Sequence, residues 1–193
     1  MERRSSSVTR ETGETKVTVK LTIDGEGVFE GSTDIKFLDH ILSLLAHHAI
    51  IDLNVEAKWD LKHHGVEDVG IVLGKAVGEA LGDREGIARF GYAIVPMDEA
   101  LAEASVDLIR RAHATVNLGL AGQNVEDMAV EDIVHLLQSF TVSIPAVAHI
   151  NLRYGYNDHH RVEAAVKALA LALREAWRRE PRRRGPPSSK GVV

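Results

Sequence analysis

A pattern of two adjacent histidines followed by a glutamate, His-His-x-x-Glu, occurs twice in this chain of 193 residues. The first copy spans residues 63–67 and the second spans residues 159–163. A further histidine precedes each copy at nearly the same spacing: His40 lies 23 residues before the first copy, and His135 lies 24 residues before the second. The repetition predicts a fold made of two copies of one unit.

The hydrophobic pattern supports this duplication, because the elements follow in the same order in each half. In the first half it predicts two strands, a helix, a strand and a helix, over residues 16–23, 28–32, 37–49, 51–57 and 63–82. The first two strands read as a hairpin around the turn Asp24-Gly25. The first helix contains His40, and the second begins at the His-His motif.

The second half repeats the order, with a loop predicted between Gly119 and Asp127. The predicted segments are a strand, one or two further strands, a helix, a strand and a helix, over residues 89–95, 104–118, 128–142, 147–154 and 159–178. The expected class is therefore α+β: two tandem strand-strand-helix-strand-helix half-domains with helices on one face of each sheet, a duplicated ferredoxin-like or split βαβ arrangement. The predicted divisions are a first half-repeat at 1–88, a second at 89–179 and a C-terminal tail at 180–193. Residues 1–13 are polar and are expected to be loose.

Helical geometry assigns chemistry to the two motifs. Residues four apart lie on one helix face, whereas adjacent residues diverge by roughly 100°. His63 and Glu67 can therefore hold one ion together while His64 points elsewhere, and His159 and Glu163 form the matching pair while His160 diverges. If a pseudo-twofold axis relates the halves, the divergent histidines exchange between sites. The two expected quartets are His63, Glu67, His135 and His160, and His159, Glu163, His40 and His64.

Imidazole and carboxylate groups suit divalent ions such as manganese, iron or zinc. A single such motif is as compatible with surface or capping histidines as with a metal site. Two motifs, each with a histidine at matched spacing, favour a pair of metal sites.

Composition limits the possible partners. The formal net charge of −5 argues against nucleic acid as a partner. The sequence has no cysteine, so it offers neither disulfides nor thiolate ligands. No apolar run approaches the roughly 18 residues of a membrane span, and the N-terminus lacks the apolar stretch of a secretory signal. A cytoplasmic protein with no membrane or nucleic-acid partner is expected.

Several motifs, in their order and spacing, resemble the imidazoleglycerol-phosphate dehydratase family of histidine biosynthesis. The resemblance covers the chain from Glu14 to Gly191. The motifs are Phe37-Leu38-Asp39-His40, His63-His64-x-x-Glu67-Asp68, Arg89-Phe90-Gly91, Pro96-Met97-Asp98-Glu99, Asn157-Asp158-His159-His160-x-x-Glu163 and Ser188-Ser189-Lys190-Gly191.

The resemblance implies a metal-dependent lyase that dehydrates D-erythro-imidazoleglycerol phosphate to imidazole acetol phosphate. It implies two divalent ions per subunit, usually Mn²⁺, that bind the imidazolate ring of the substrate. It also implies a homo-oligomer of 24 subunits built from trimers, with active sites at subunit interfaces.

Individual roles follow from the same resemblance. Glu14 matches the position of a general acid or base, and His48 matches a position near the substrate. The positions that match phosphate-binding residues are Arg89, Arg111, Lys167, Ser188, Ser189 and Lys190. The chain departs from the family pattern at Ser43, Lys62, Gly65 and residues 109–112, and in a shorter loop before His63. All eight expected metal ligands are present.

Two other functions share the metal chemistry. A dinuclear metallohydrolase would use paired ions to activate water. A metal-storage or metal-scaffolded assembly protein would use the ions only to hold subunits together. The set formed by Glu14, the arginines and the tail lysine favours the dehydratase over storage, because storage has no use for a phosphate pocket.

Overall fold

The computed structural model describes residues 3–191, and the outermost two residues at each end, which belong to the predicted end segments, lie outside the described residues. The first half consists of β1 (Ser5–Glu11), β2 (Thr15–Thr22), β3 (Phe29–Ser32), α1 (Lys36–Ala49), β4 (Asp52–Trp59) and α2 (Lys62–Leu81). Its sheet has the strand order β1-β2-β4-β3, in which only β3 and β4 run parallel.

The second half repeats this topology. It consists of β5 (Phe90–Met97), β6 (Ala100–Asp107), β7 (His113–Asn117), β8 (Asn124–Val125), β9 (Met128–Ala129), α3 (Val130–Ser143), β10 (Val147–Tyr154) and α4 (Asp158–Trp177). The sheet order β5-β6-β10-β7, with β7 and β10 parallel, matches the first sheet strand for strand. The α+β class and the two half-domains are confirmed.

Three local predictions are wrong. The segment expected to be loose contains β1, which pairs with β2 along its whole length although Val8 is its one apolar residue. Residues 28–32 do not form a hairpin with β2, because β1 and β4 occupy both edges of that strand. Within the predicted loop at 119–127, residues 124–125 pair with 128–129, so the helix begins at Val130 rather than at Met128.

The helices lie where the two halves meet. On the sheet side, α2 packs on β1, β2 and β4, and α4 packs on β5, β6 and β10. On the other side, α2 packs against α3 and α1 packs against α4, so both helix pairs join one half to the other. Apolar residues from all four helices, including Leu42, Leu73, Phe140 and Leu169, surround a cavity of ≈ 20 Å³. The two halves therefore share a core.

A row of glycines sets the distance between α2 and α3. Gly70, Gly74 and Gly78 follow one another at four-residue spacing and so lie on one face of α2. A Cβ atom on Gly74 would stand 2.4 Å from the carbonyl oxygen of Phe140, and one on Gly78 would stand 2.7 Å from that of Ile144. Side chains at these positions would push the helices apart.

The segment after α4 returns to the start of β5. Arg179 forms a bridge with Ile87, and the amide of Gly86 donates to the carbonyl of Gly185. Arg89 also donates to the carbonyl of Pro187, which holds the tail beside it. Within residues 3–191, none of the helices combines the length and apolar character needed to cross a membrane.

Candidate metal centre

The first histidine cluster lies between α2 and α3. Ligand atoms of His63 and Glu67 on α2 and of His135 on α3 come within 4.8 Å of one another. Asp132, one turn before His135 on α3, places Oδ1 2.6 Å from Nδ1 of His63 and is only 7% exposed. This hydrogen bond fixes the ring and leaves Nε2 as its ligand atom. We call His63, Glu67 and His135 the α2–α3 cluster.

The second cluster lies between α1 and α4, in a cleft of ≈ 580 Å³. Nε2 of His40 and Nε2 of His159 lie 2.7 and 3.0 Å from the same oxygen, Oε1 of Glu163. The other carboxylate oxygen of Glu163 accepts from Lys167 Nζ at 2.6 Å. We call His40, His159 and Glu163 the α1–α4 cluster.

Glu163 stays ionised although it is buried. Burial raises its pKa, but hydrogen bonds from Lys167, His40 and His159 outweigh burial and lower the pKa to about 2. A carboxylate that remains anionic between two imidazoles is a suitable ligand for a divalent cation.

Helix caps fix the positions of these ligands. The side chain of Asn157 accepts from the backbone amides of His159 and His160, so α4 begins at the motif itself. Asp127, in the second half, accepts from the amides of Lys36 and Phe37 and so caps α1 in the first half. No sequence pattern indicated this role for Asp127.

One chain assembles three members of each predicted quartet. Among the residues that the structure describes, neither cluster includes His64 or His160. Both side chains diverge from their neighbours: the rings of His63 and His64 are inclined by 62°, and those of His159 and His160 by 89°. The fourth ligands of the two quartets therefore do not come from the same chain in this structure.

Each divergent histidine faces carboxylates instead. Nδ1 of His64 lies 2.8 Å from Asp60 and 3.8 Å from Glu14. The hydrogen bond with Asp60 raises the pKa of His64. Nδ1 of His160 lies 2.6 Å from Glu99, and that hydrogen bond likewise raises the pKa of His160.

Glu14 and Glu99 lie at equivalent hairpins, β1–β2 and β5–β6, but their surroundings differ. Glu99 accepts from the amides of Asn157 and Tyr156 as well as from His160. The amide of Asn157, followed by His160, lowers the pKa of Glu99 to about 2. The Glu14 side chain is 62% exposed and lies near His64 without these partners. Glu99 is thus fixed in place, whereas Glu14 remains accessible.

His48, the other predicted catalytic residue, lies two turns after His40 on α1 and is half-buried. Burial lowers its pKa, and the positive charges of His47 and Lys167 lower it further, whereas Glu163 raises it. His48 therefore belongs to the surroundings of the α1–α4 cluster.

The residues predicted to bind phosphate do not converge within one chain. Arg89 forms a bidentate ion pair with Asp107, at 2.6 and 2.9 Å. It also donates to the carbonyl oxygen of Pro187, which precedes Ser188, Ser189 and Lys190. Arg111 is exposed in the nearby connection between β6 and β7. Lys167 is bound to Glu163 instead, and nine residues of α4 separate it from Ala176, to which the Arg89 amide donates. That separation is about 13 Å along the helix.

The carboxylates that orient the histidines were not predicted from the sequence. Asp60, Glu99, Glu126 and Asp132 each accept a hydrogen bond from a motif histidine. Asp132 could have been found, because it precedes His135 by three residues and so shares its helix face. Asp60 precedes His64 by four residues, but it lies before the start of α2. Glu99 and Glu126 lie outside the helices, and no periodicity relates them to the histidines.

The donor sets fit divalent cations. Each cluster offers two imidazole nitrogens and a carboxylate oxygen within 4.8 Å of one another, and one more histidine would complete four ligands. Hydrogen bonds to Nδ1 of His63 and of His160 leave Nε2 free for a metal, as is typical of histidine ligands.

Comparison with known proteins gives a consistent result. A family model described as "Imidazoleglycerol-phosphate dehydratase" matches residues 33–173. An imidazoleglycerol-phosphate dehydratase of Rubrobacter xylanophilus is 48% identical over 193 residues, which cover 98% of each chain. One of Phytophthora nicotianae is 46% identical, over 98% of this chain and 42% of the relative. A crystal structure of IGPD from Pyrococcus furiosus in complex with (S)-C348 has a TM-score of 0.84 and 36% identity, over 96% of this chain and 100% of that one.

Proposed function

We propose that the activity of this chain depends on a dinuclear metal centre. The chain belongs to the imidazoleglycerol-phosphate dehydratase family, whose members are hydro-lyases of histidine biosynthesis. The observation that supports the proposal most directly is the pair of His-His-Glu clusters at the junctions between the halves. Each is built from the same ligand types on equivalent helices. Mn²⁺ is the ion proposed for both, in line with the family resemblance.

Family membership decides between the functions considered for the sequence. It supports the dehydratase over the hydrolase and over metal storage, because the match extends over nearly the full chain of the Rubrobacter relative. The proposed reaction converts imidazoleglycerol phosphate to imidazole acetol phosphate. The hydroxyl group on the carbon next to the ring and the proton on the following carbon must leave together as water, and the resulting enol tautomerises to the ketone.

The α2–α3 and α1–α4 clusters would hold one ion each, with His160 and His64 as the respective fourth ligands. When bound, the ions would act as Lewis acids at the two nitrogens of the substrate ring and favour its anionic form. Because one chain does not assemble the quartets, we propose that His64 and His160 reach the clusters of other copies of the chain. This proposal agrees with the homo-oligomer of 24 subunits that the resemblance implies.

Glu14 is the proposed proton carrier. It is accessible, and it lies beside His64, so it would enter the neighbouring copy's α1–α4 cluster together with that histidine. Asp60 already occupies the orienting role at His64 Nδ1, which leaves the Glu14 carboxylate available for the substrate. His48, half-buried near Lys167, would line the same pocket from the α1 side.

The phosphate group would be bound across copies as well. Arg89, Arg111, Ser188, Ser189 and Lys190 are grouped at the far end of α4 from Lys167. We propose that a neighbouring copy brings this group to Lys167. Guanidinium groups suit phosphate because they donate two parallel hydrogen bonds.

The test is a direct turnover assay with imidazoleglycerol phosphate. The protein is freed of metal with a chelator and assayed before and after manganese is restored. Dehydration that disappears and returns with manganese supports the proposal. Undiminished turnover in verified metal-free protein would contradict it.

A further inference from the structure

The two clusters have the same types of ligand, two histidines and one glutamate. The charged groups that touch those ligands differ, and they would make the metal affinities of the two clusters differ. Asp132 contacts His63 in the α2–α3 cluster. The equivalent residue of α1, three positions before His40, is Phe37, whose ring packs on His159 at 5.2 Å. A buried carboxylate on one side is thus replaced by an aromatic ring on the other.

The second difference has the opposite sign. Lys167 donates to Glu163 at 2.6 Å, one turn further along α4, and its side chain is mostly buried. The equivalent residue of α2, four positions after Glu67, is Ile71. An ammonium group therefore neutralises the carboxylate ligand of the α1–α4 cluster, whereas no lysine or arginine among residues 3–191 forms an ion pair with Glu67 of the α2–α3 cluster.

Other nearby charges change this balance little. Glu126 contacts Nδ1 of His159 at 3.1 Å, but its side chain is 60% exposed, so solvent screens its charge. Lys36 and Asp127 also line the cleft of the α1–α4 cluster, and their charges oppose each other. Each of the divergent histidines, His64 and His160, has two carboxylates nearby, so the fourth ligands would bring similar charge to both sites.

We infer that the two sites bind metal unequally: the α2–α3 cluster holds its divalent cation more tightly than the α1–α4 cluster does. The inference rests on the proposed dinuclear centre. Asp132 makes His63 a stronger donor and adds negative charge beside the cation. Lys167 repels the second cation and occupies one oxygen of its carboxylate ligand. Asp132 is a positioning residue, because it acts on the metal through His63; Lys167 acts on the metal through Glu163, in addition to its proposed contact with the phosphate.

The experiment titrates the metal-free full-length protein with Mn²⁺ and measures free Mn²⁺ by electron paramagnetic resonance. The wild type is expected to show two classes of site whose dissociation constants differ by about tenfold or more. His135→Ala is expected to remove the tight class, and His40→Ala is expected to remove the weak class.

Asp132→Asn and Lys167→Met, which keep every proposed ligand, test whether these two charges cause the difference in metal affinity. Asp132→Asn should weaken the tight class on the order of tenfold. Lys167→Met should tighten the weak class, whereas Lys167→Arg, which keeps the positive charge, should leave it unchanged. Glu126→Gln changes an exposed carboxylate that accepts from Nδ1 of His159, and it should weaken the weak class less than Asp132→Asn weakens the tight class. These variants remain informative if a histidine variant fails to fold.

The failures are distinguishable. Two equal classes of site in an enzyme that needs manganese, or a reversed order of affinity, would overturn this inference and leave the proposed function standing. A protein that turns over substrate and binds no Mn²⁺ would overturn both.

Discussion

At the scale of single residues, Glu14 and Glu99 occupy equivalent hairpins but have different hydrogen-bond partners. Glu99 is held by two backbone amides and by His160, so it orients a histidine. Glu14 lacks those contacts, and Asp60 takes the orienting role at His64. Which of two equivalent carboxylates is free to transfer a proton thus depends on local hydrogen bonds that the sequence repeat does not reveal.

Changing Glu14 to Gln should lower the turnover number by about 10²-fold or more, because the amide cannot carry the proton. Metal content should remain at the wild-type value, since Glu14 is not a proposed ligand. Steady-state kinetics and elemental analysis of the same preparation measure both quantities. Glu11→Gln, at an exposed glutamate in the preceding strand, is the matched control. Loss of metal together with activity in Glu14→Gln would contradict the assigned role.

Changing Glu99 to Gln should alter how stability depends on pH. The pKa of Glu99 is lowered from 4.5 to about 2, so its ionised form favours the folded state. That contribution is present above pH 4.5 and is lost as the pH falls towards 2. The difference in free energy of unfolding between wild type and Glu99→Gln should therefore shrink over this window in urea titrations. Asp98→Asn, at the neighbouring exposed position, should show a smaller effect; a constant difference for Glu99→Gln would refute the argument.

At the scale of helices and strands, what could be predicted depended on periodicity. The helices and β2, β4 and β10 carry strong apolar patterns, and the divergence of His64 and His160 follows from helical geometry alone. β1 could not be found this way, because it is an edge strand whose polar residues are satisfied elsewhere: Ser6 donates to Ala76, and Arg10 pairs with Asp68. The parallel pairing of β3 with β4 likewise depends on a crossover through α1, which no local pattern encodes.

The departure at Gly65 from the common family pattern has a local explanation. A Cβ atom there would stand 2.2 Å from the indole ring of Trp59. Trp59 ends β4, immediately before the shorter loop that leads to the first motif. Glycine allows the indole to pack on the first turn of α2, next to His64.

Changing Gly74 to Ala should destabilise the protein, because the new methyl group meets the carbonyl of Phe140 across the α2–α3 contact, at a cost of about 1–3 kcal/mol. Alanine gains roughly 1 kcal/mol in a helix interior, so a net loss of up to about 2 kcal/mol is expected. Urea unfolding of Gly74→Ala and of Lys75→Ala, a control on the exposed face of α2, measures the difference. A Gly74→Ala variant as stable as Lys75→Ala would show that the helices are not in close contact.

At the scale of the whole molecule, acid should release the proposed metal ions and break up the proposed assembly together. Six of the eight proposed ligands are histidines, which bind metal only when neutral, and carboxylates raise the pKa of His64 and of His160 above 6.5. As the pH falls, protons therefore compete with the metal for His64 and His160. With metal present, activity and particle size should fall together between about pH 6 and pH 5.

Manganese should move that transition to lower pH by mass action. Turnover and light scattering, followed against pH at two manganese concentrations, check the prediction. A midpoint that does not respond to manganese would assign the pH effect to another group, such as Glu14 or the substrate phosphate.

The placement of both clusters between the halves bears on the ancestry of the chain. α2 of the first half meets α3 of the second, and α4 of the second meets α1 of the first, so neither half contains a complete cluster. A half-length ancestor could have completed these clusters only as a dimer, in which two copies related by a twofold axis would form two identical sites. In a single chain the two halves are free to differ. Asp132 and Lys167 both lie in the second half, where the first half has Phe37 and Ile71, and a symmetric dimer could not carry such differences at one site alone.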